Sequence, residues 1–107
     1  MPAAKERLCR FDELAPGEAR RFVVGRHRIA VVRIGDDVYA IGDTCTHQNI
    51  SLSEGEVHPD DKTIECWKHG STFSVETGEA LILPATRPVP VYDVRVDDGE
   101  IVVVLDD

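Results

Sequence analysis

The sequence predicts an all-β domain, either a sandwich or a barrel, and three observations lead to that prediction. Short stretches rich in valine, isoleucine and aromatic residues recur along the chain, separated by turns that contain glycine, proline and aspartate. No stretch of the sequence shows the sustained 3.6-residue periodicity of an amphipathic helix. A length of 107 residues corresponds to one domain that buries a single modest core.

The first half of the chain contains four predicted strands separated by turns. Polar residues 1–7 are expected to fray, and residues 11–18, which include Pro16-Gly17, are predicted to turn. Further turns are predicted at Gly25-Arg26-His27 and, as a tight hairpin, at Gly35-Asp36-Asp37. The predicted strands are residues 8–10, 20–24, 29–34 and 38–41.

The second half is predicted to contain shorter strands and a proline-rich connection. Pro84, Pro88 and Pro90 cannot donate backbone hydrogen bonds, which keeps this segment out of a helix or a central strand. A hairpin turn is predicted at Asp97-Asp98-Gly99. Residues 55–62 are predicted to form a short strand and a turn, and further strands are predicted at residues 63–65, 72–75, 91–96 and 100–105.

The charge balance restricts the possible partners. Twenty acidic and 12 basic residues give a net charge of −8, so nucleic acid and anionic membranes are poor partners. The acidic surface could steer the protein toward basic patches on redox partners, or serve solubility alone. No apolar run approaches the length of a membrane span, and residues 1–7 lack the apolar core of a signal peptide. A cytoplasmic location is therefore expected.

Two short motifs carry the chemistry of the chain. Cys45-Thr46-His47 and Cys66-Trp67-Lys68-His69 each hold one cysteine and one histidine, and 18 residues separate them. Two thiolates and two imidazoles form a four-ligand metal site. A zinc finger usually sets cysteine beside cysteine, whereas this mixed pairing suits a two-iron cluster with both histidines on one iron. A structural zinc site remains an alternative for these four residues. The third cysteine, Cys9, is interpreted as a small buried hydrophobic residue in the first strand.

The residues that flank these motifs resemble the Rieske [2Fe-2S] family. The first motif continues into Leu52-Ser53-Glu54-Gly55, and the second is followed by Gly70, Phe73, Thr77-Gly78 and Pro84-Ala85. Within that family, the chain is most similar to the small ferredoxins of bacterial aromatic-ring dioxygenase systems, over about residues 8–105. The resemblance implies the Rieske fold: an antiparallel β base of residues 1–43 and about 87–107, with a cluster-binding lobe inserted over residues 44–86.

The resemblance also implies the role of each ligand. Cys45 and Cys66 would bind the buried iron, and His47 and His69 would bind the outer iron near solvent. With neutral imidazoles, the oxidised cluster has no net formal charge and gains one negative charge on reduction. A four-cysteine cluster must become more negative, so imidazole ligation raises the reduction potential.

Other residues are implied as the surroundings of the cluster. Gly70 and the residues after His69 are expected to turn backbone N–H groups toward the sulfurs. Ser71 is expected to donate to a bridging sulfide and raise the potential modestly, with an ordinary turn serine as the alternative. Phe73 stands where many high-potential relatives have tyrosine, and the positions of their disulfide cysteines correspond to Ile50 and Lys68. These departures indicate a low-to-intermediate potential. The residues expected around the histidines are Gln48, Asn49, Trp67, Lys68 and Pro84.

Two further histidines, His27 and His58, lie in predicted turns and are interpreted as solvated surface residues rather than a second iron site.

The resemblance implies a monomeric electron carrier between a flavin-containing ferredoxin reductase and a terminal dioxygenase of aromatic hydrocarbon catabolism. The chain itself is not expected to be an enzyme, because 107 residues leave no room for a mononuclear-iron catalytic domain. Iron–sulfur assembly, redox sensing and a non-redox zinc-binding module remain alternative functions.

Overall fold

Ten strands and two short 3-10 helices make up the part of the chain that the structure describes, residues 4–46, 50–68, 70–83 and 85–105 of a computed structural model. The 3-10 helices are Phe11–Glu13 and Leu52–Glu54. The strands are β1 (Ala4–Arg10), β2 (Ala19–Val24), β3 (His27–Ile34), β4 (Asp37–Gly42), β5 (Glu56–His58), β6 (Thr63–Glu65), β7 (Thr72–Ser74), β8 (Ala80–Ile82), β9 (Val91–Asp97) and β10 (Glu100–Leu105). The all-β prediction is confirmed.

The strands form two antiparallel sheets. A six-stranded sheet has the order β1-β10-β9-β4-β3-β2, and a four-stranded sheet has the order β5-β6-β7-β8. The strands of the smaller sheet all lie in sequence between β4 and β9, which are neighbours in the larger one. The chain therefore leaves the large sheet after β4, builds the small sheet, and returns to pair beside the strand that it left.

Strand β3 is buried on both of its faces. Ile29 and Val31 pack into one hydrophobic core, whereas Ala30 and Val32 pack into another. Successive side chains of a strand point to opposite faces, so β3 separates the two cores. This explains why the sequence of β3 is a continuous apolar run rather than an alternation.

The first core fills the inside of the curved large sheet. Side chains from both edge strands pack against it, including Leu8 of β1 and Phe22 of β2. Leu14, in the connection between these strands, is fully buried in the same core. The large sheet is thus curled into a barrel-like base around one apolar interior.

The second core joins the small sheet to the large one. Ile64 of β6 and Phe73 of β7 are fully buried, and they belong to the same cluster as Ala30 and Val32 of β3. Cys45 and Cys66 lie in this second core as well. The two cysteines of the predicted metal site are therefore part of the apolar layer between the sheets.

Several local predictions were wrong. Residues 4–7 pair with the end of β10, from Ala4 opposite Leu105 to Arg7 opposite Val102, so they do not fray. Strand β8 was missed, and it pairs with β7 across an irregular register. His27 and His58 lie within β3 and β5, and both are half-buried rather than solvated turn residues. Within the described residues, no helix is long and apolar enough to cross a membrane.

Replacement of Gly55 by alanine tests the close packing of the small sheet. A Cβ atom at position 55 would lie 1.8 Å from the carbonyl oxygen of Glu65. The φ of Gly55 is −86°, which would suit any residue. We expect Gly55→Ala to lower the free energy of unfolding by about 3 kcal/mol, because backbone must shift. Gly99→Ala, where nothing lies within 4 Å but φ is +76°, should cost about 1 kcal/mol. Chemical denaturation measures both, and equal losses would contradict this packing.

Candidate metal centre

The first cysteine closes its own loop. The backbone N–H of Cys45 donates to the carbonyl oxygen of Ile50 at 2.9 Å, and Thr44 and Ser51 form an antiparallel bridge just outside this bond. The loop between them carries the Cys45-Thr46-His47 motif. His47, Gln48 and Asn49 lie outside the described residues.

The second cysteine closes its loop in the same way. The N–H of Cys66 donates to the carbonyl oxygen of Ser71 at 2.7 Å, again five residues further along the chain. Gly70 has a φ of +77°, which favours glycine at this position. Its N–H donates to the carbonyl oxygen of Cys66 at 3.0 Å, so the prediction that this N–H faces a sulfur was wrong. His69 lies outside the described residues.

A third segment connects the two loops. The hydroxyl of Thr46 donates to the carbonyl oxygen of Arg87 at 2.7 Å, and the N–H of Ala85 donates to the hydroxyl of Ser71 at 3.0 Å. Ala85 and Arg87, which follow Pro84, therefore contact both cysteine loops, although Pro84 itself lies outside the described residues.

The surroundings of the two cysteines suit thiolate ligands of a cluster. Cys45 and Cys66 are 3% and 2% exposed, and they share one core with Phe73 and Ile64. All three cysteines of the chain are described, and no disulfide joins them. A pair of buried sulfur atoms at equivalent positions of two loops fits a two-iron cluster held by one cysteine from each loop.

Cys9 belongs to a different part of the molecule. It packs against the core of the barrel-like base, whereas Cys45 and Cys66 lie in the core beside the small sheet. Burial raises the pKa of the Cys9 thiol, which therefore stays protonated at neutral pH. These observations match its interpretation as a hydrophobic packing residue.

The remaining predicted surroundings divide into buried and exposed residues. Ser71 and Phe73 are buried beneath the second loop, at 1% and 0% exposure. Trp67 is 58% exposed, and Lys68 is also exposed. Ser71 and Phe73 are therefore shielded from solvent, whereas Trp67 presents a large aromatic side chain on the outer surface of the second loop.

Asp43 is a residue of the site that the sequence reasoning missed. Its side chain is only 2% exposed, and its carboxylate accepts hydrogen bonds from the Ser51 hydroxyl at 2.5 Å and the Ser53 N–H at 2.9 Å. The carbonyl oxygen of Asp43 also accepts from the N–H of Leu52 at 2.6 Å. Asp43 therefore fixes the segment that follows the first loop to the strand that precedes it.

One charged neighbour accompanies this buried carboxylate. The Nε atom of Arg21 in β2 lies 3.6 Å from Asp43 Oδ2. Only one signal in the sequence could have found this arrangement: an aspartate directly after an apolar strand, two residues before Cys45, with serines at 51 and 53. Such residues favour local hydrogen bonds to backbone and hydroxyl groups at turns.

Substitution of Asp43 tests its role in holding the first loop. We expect Asp43→Ala to lower the free energy of unfolding by about 2–4 kcal/mol, because two partly buried donors, the Ser51 hydroxyl and the Ser53 N–H, lose their acceptor. Asp43→Asn keeps one acceptor and should cost less. Asp36→Ala removes a carboxylate whose side chain is 99% exposed and should change stability by about 0.5 kcal/mol or less. Denaturation and iron content per chain would be measured, and equal behaviour of Asp43→Ala and Asp36→Ala would contradict this role of Asp43.

Comparisons with known proteins agree with this site. Residues 5–93 match the Rieske [2Fe-2S] domain family. The 3-phenylpropionate/cinnamic acid dioxygenase ferredoxin subunit of Escherichia coli strain K12 is 43% identical over 93 residues, which cover 87% of this chain and 86% of that protein.

Solved structures show the same relationship. The ferredoxin of carbazole 1,9a-dioxygenase from Nocardioides aromaticivorans IC177 has a TM-score of 0.92 and 40% identity, covering 95% of this chain and 98% of that one. A chain from the complex of reduced oxygenase and oxidised ferredoxin in carbazole 1,9a-dioxygenase has a TM-score of 0.85 and 43% identity, covering 92% and 91%. The chain belongs to the Rieske [2Fe-2S] family, it has the Rieske fold, and its cofactor is a Rieske-type [2Fe-2S] cluster.

Proposed function

We propose that the protein is an electron carrier that takes single electrons from a flavin-containing reductase and passes them to a terminal aromatic-ring dioxygenase. The observation that carries the proposal is the pair of equivalent cysteine loops, each closed by a cysteine N–H, in a chain of the Rieske family. When bound, the cluster supplies one-electron chemistry. Electron transfer needs no catalytic base or nucleophile beside it.

We assign Cys45, Cys66, His47 and His69 as the four ligands. The burial of both sulfur positions and the equal loop closures support the two cysteines. For the two histidines, the support is their place in the C-x-H and C-x-x-H motifs. The apolar core beside the sulfurs limits water access, and exposed imidazoles would leave a short path to a partner.

Ser71 is proposed to donate a hydrogen bond to a bridging sulfide. Its oxygen already accepts from the Ala85 N–H, so the hydroxyl proton remains available for another acceptor. The residue is 1% exposed, which keeps water from serving as that acceptor. A hydrogen bond to the cluster stabilises its more negative reduced state.

The proposed partners come from the proteins that this chain is similar to. A relative is named as a dioxygenase ferredoxin subunit, and a structural match comes from a complex of an oxygenase with its ferredoxin. Exposed Trp67, two residues before His69, is suited to contact a partner near the cluster. We further propose that the protein is a cytoplasmic monomer. Its cluster-binding lobe would span about residues 44–86, and the residues around the histidines would include Gln48, Asn49, Lys68 and Pro84.

Serine substitutions test the ligand assignment. We expect Cys45→Ser and Cys66→Ser to lose the visible absorption and iron of the cluster, because neutral hydroxyls are poor ligands for iron that favours thiolates. Cys9→Ser is the matched control and should keep both. Iron and zinc content per chain would be measured with the visible spectrum. Iron retained in both Cys45→Ser and Cys66→Ser, or lost only in Cys9→Ser, would contradict the assignment.

Ser71→Ala tests the proposed sulfide hydrogen bond. A net hydrogen bond of about 0.5–1.5 kcal/mol corresponds to roughly 20–60 mV for a one-electron couple. We expect the alanine variant to have a potential lower by about that amount. Redox titration followed by visible absorption measures the change, with Ser74→Ala as a control in which the serine caps a turn at the N–H groups of Glu76 and Thr77. An unchanged potential in Ser71→Ala would refute the hydrogen bond.

A further inference from the structure

Basic residues are concentrated in one segment of this acidic chain. Residues 19–35, which cover β2 and β3, contain five arginines and no acidic residue. The rest of the chain has 7 basic and 20 acidic residues. A single hairpin therefore has a net charge of +5, whereas the remainder has a net charge of −13.

Two of the five arginines form side-chain hydrogen bonds with residues outside the lobe. Arg20 donates to the carbonyl oxygen of Glu13 and lies 3.4 Å from the carboxylate of Glu18. Arg33 donates to the carbonyl oxygens of Leu14 and Gly35. The other three arginines, Arg21, Arg26 and Arg28, are exposed.

The strand register places these exposed charges beside the lobe. Arg21 lies opposite Ala30 and Val23 lies opposite Arg28 in the β2–β3 pair. Directly opposite residues share a face of the sheet, and Ala30 packs into the core that contains the two ligand cysteines. Arg21, Val23 and Arg28 therefore lie on the same side of the sheet as the lobe. We call these three residues and Arg26 the basic face.

The basic face borders the first cysteine loop. A hollow of about 170 Å³ is lined by Arg21, Arg28, Asp43, Thr44, Ile50 and Ser51. A second hollow of about 340 Å³ is lined by Arg26 and Arg28 together with Thr44, Pro90 and Tyr92. Asp43 lines the first hollow, but its buried carboxylate is already bonded to Ser51 and Ser53. Among the ion pairs of the described residues, Arg21 has its partner in Asp43, and none includes Arg26 or Arg28.

We propose that the basic face docks an acidic surface of one of the protein's redox partners, an inference that rests on the proposed electron-carrier function. Val23, which is 60% exposed between Arg21 and Arg28, supplies an apolar contact within the charged surface. The hollows beside the first loop can receive partner side chains near the cluster. An extended polyanion such as nucleic acid would also meet the acidic remainder of the molecule, whereas a folded partner contacts only the local face.

The test uses two haem proteins of opposite charge as electron acceptors: acidic cytochrome b5 and basic cytochrome c. The dithionite-reduced holoprotein is mixed with each acceptor, and haem reduction is followed by stopped flow at several salt concentrations. We expect Arg26→Gln/Arg28→Gln to slow cytochrome b5 reduction about tenfold at low salt, an effect that salt removes. Cytochrome c reduction should not slow. Arg26→Lys/Arg28→Lys should retain most of the rate because the charge is kept.

The matched control is Arg7→Gln/Arg95→Gln. This variant has the same net charge of −10, two units below the native −8, but each arginine is paired with its own carboxylate, in Glu100 and Asp93. We expect a change of less than about twofold in cytochrome b5 reduction. Equal slowing by both double variants, or by neither, would overturn the proposal.

Two other outcomes are separately informative. If the reduced protein reacts with cytochrome c but not with cytochrome b5, the docking proposal fails while the carrier function stands. If it reacts with neither acceptor, the carrier function fails, and the docking proposal fails with it. Binding of a single-stranded oligonucleotide that is lost in Arg26→Gln/Arg28→Gln would assign the face to nucleic acid and also overturn the proposal.

Discussion

The hydrogen bond from each ligand-loop cysteine to the carbonyl oxygen five residues later is the constraint on which the rest of the site depends. Because Cys45 and Cys66 make the same bond, to Ile50 and Ser71, their loops present one buried sulfur position each in equivalent settings. The third segment then bonds both loops, through Arg87 and Ala85. A preorganised pair of sulfur positions lets the protein hold its cofactor with little rearrangement between oxidation states.

The double burial of β3 connects this site to the base of the molecule. Its alternate side chains stabilise the barrel-like interior and the layer that contains the cysteines, so neither core is complete without this strand. Its partner β2 is an edge strand of the large sheet, and β2 and β3 both contribute residues to the basic face. The strand pair that packs against the small sheet thus also forms the surface that we propose a partner contacts.

The sequence was most informative where function depends on local spacing. The all-β class and most strands followed from β-branched runs between turns, and the two cysteine motifs predicted the cofactor because metal ligation restricts residue type and order. Local patterns failed where tertiary pairing decides the outcome. Polar residues 4–7 become a strand because β10 supplies their hydrogen bonds, and Asp43 is buried because Ser51 and Ser53 return to it after the loop. The Gly70 N–H was misassigned because the second loop turns back and brings this N–H to the Cys66 carbonyl, which sequence spacing alone does not reveal.

The most direct test of the central claim is pulsed EPR of the purified protein at low temperature after dithionite reduction. If one cysteine and one histidine from each motif hold a two-iron cluster, the reduced protein gives a paramagnetic signal coupled to two imidazole nitrogens. Replacement of His47 or His69 by cysteine, which supplies a thiolate in place of the imidazole, should remove one of these couplings. A colourless protein that contains one zinc ion per chain and gives no such signal would contradict the account.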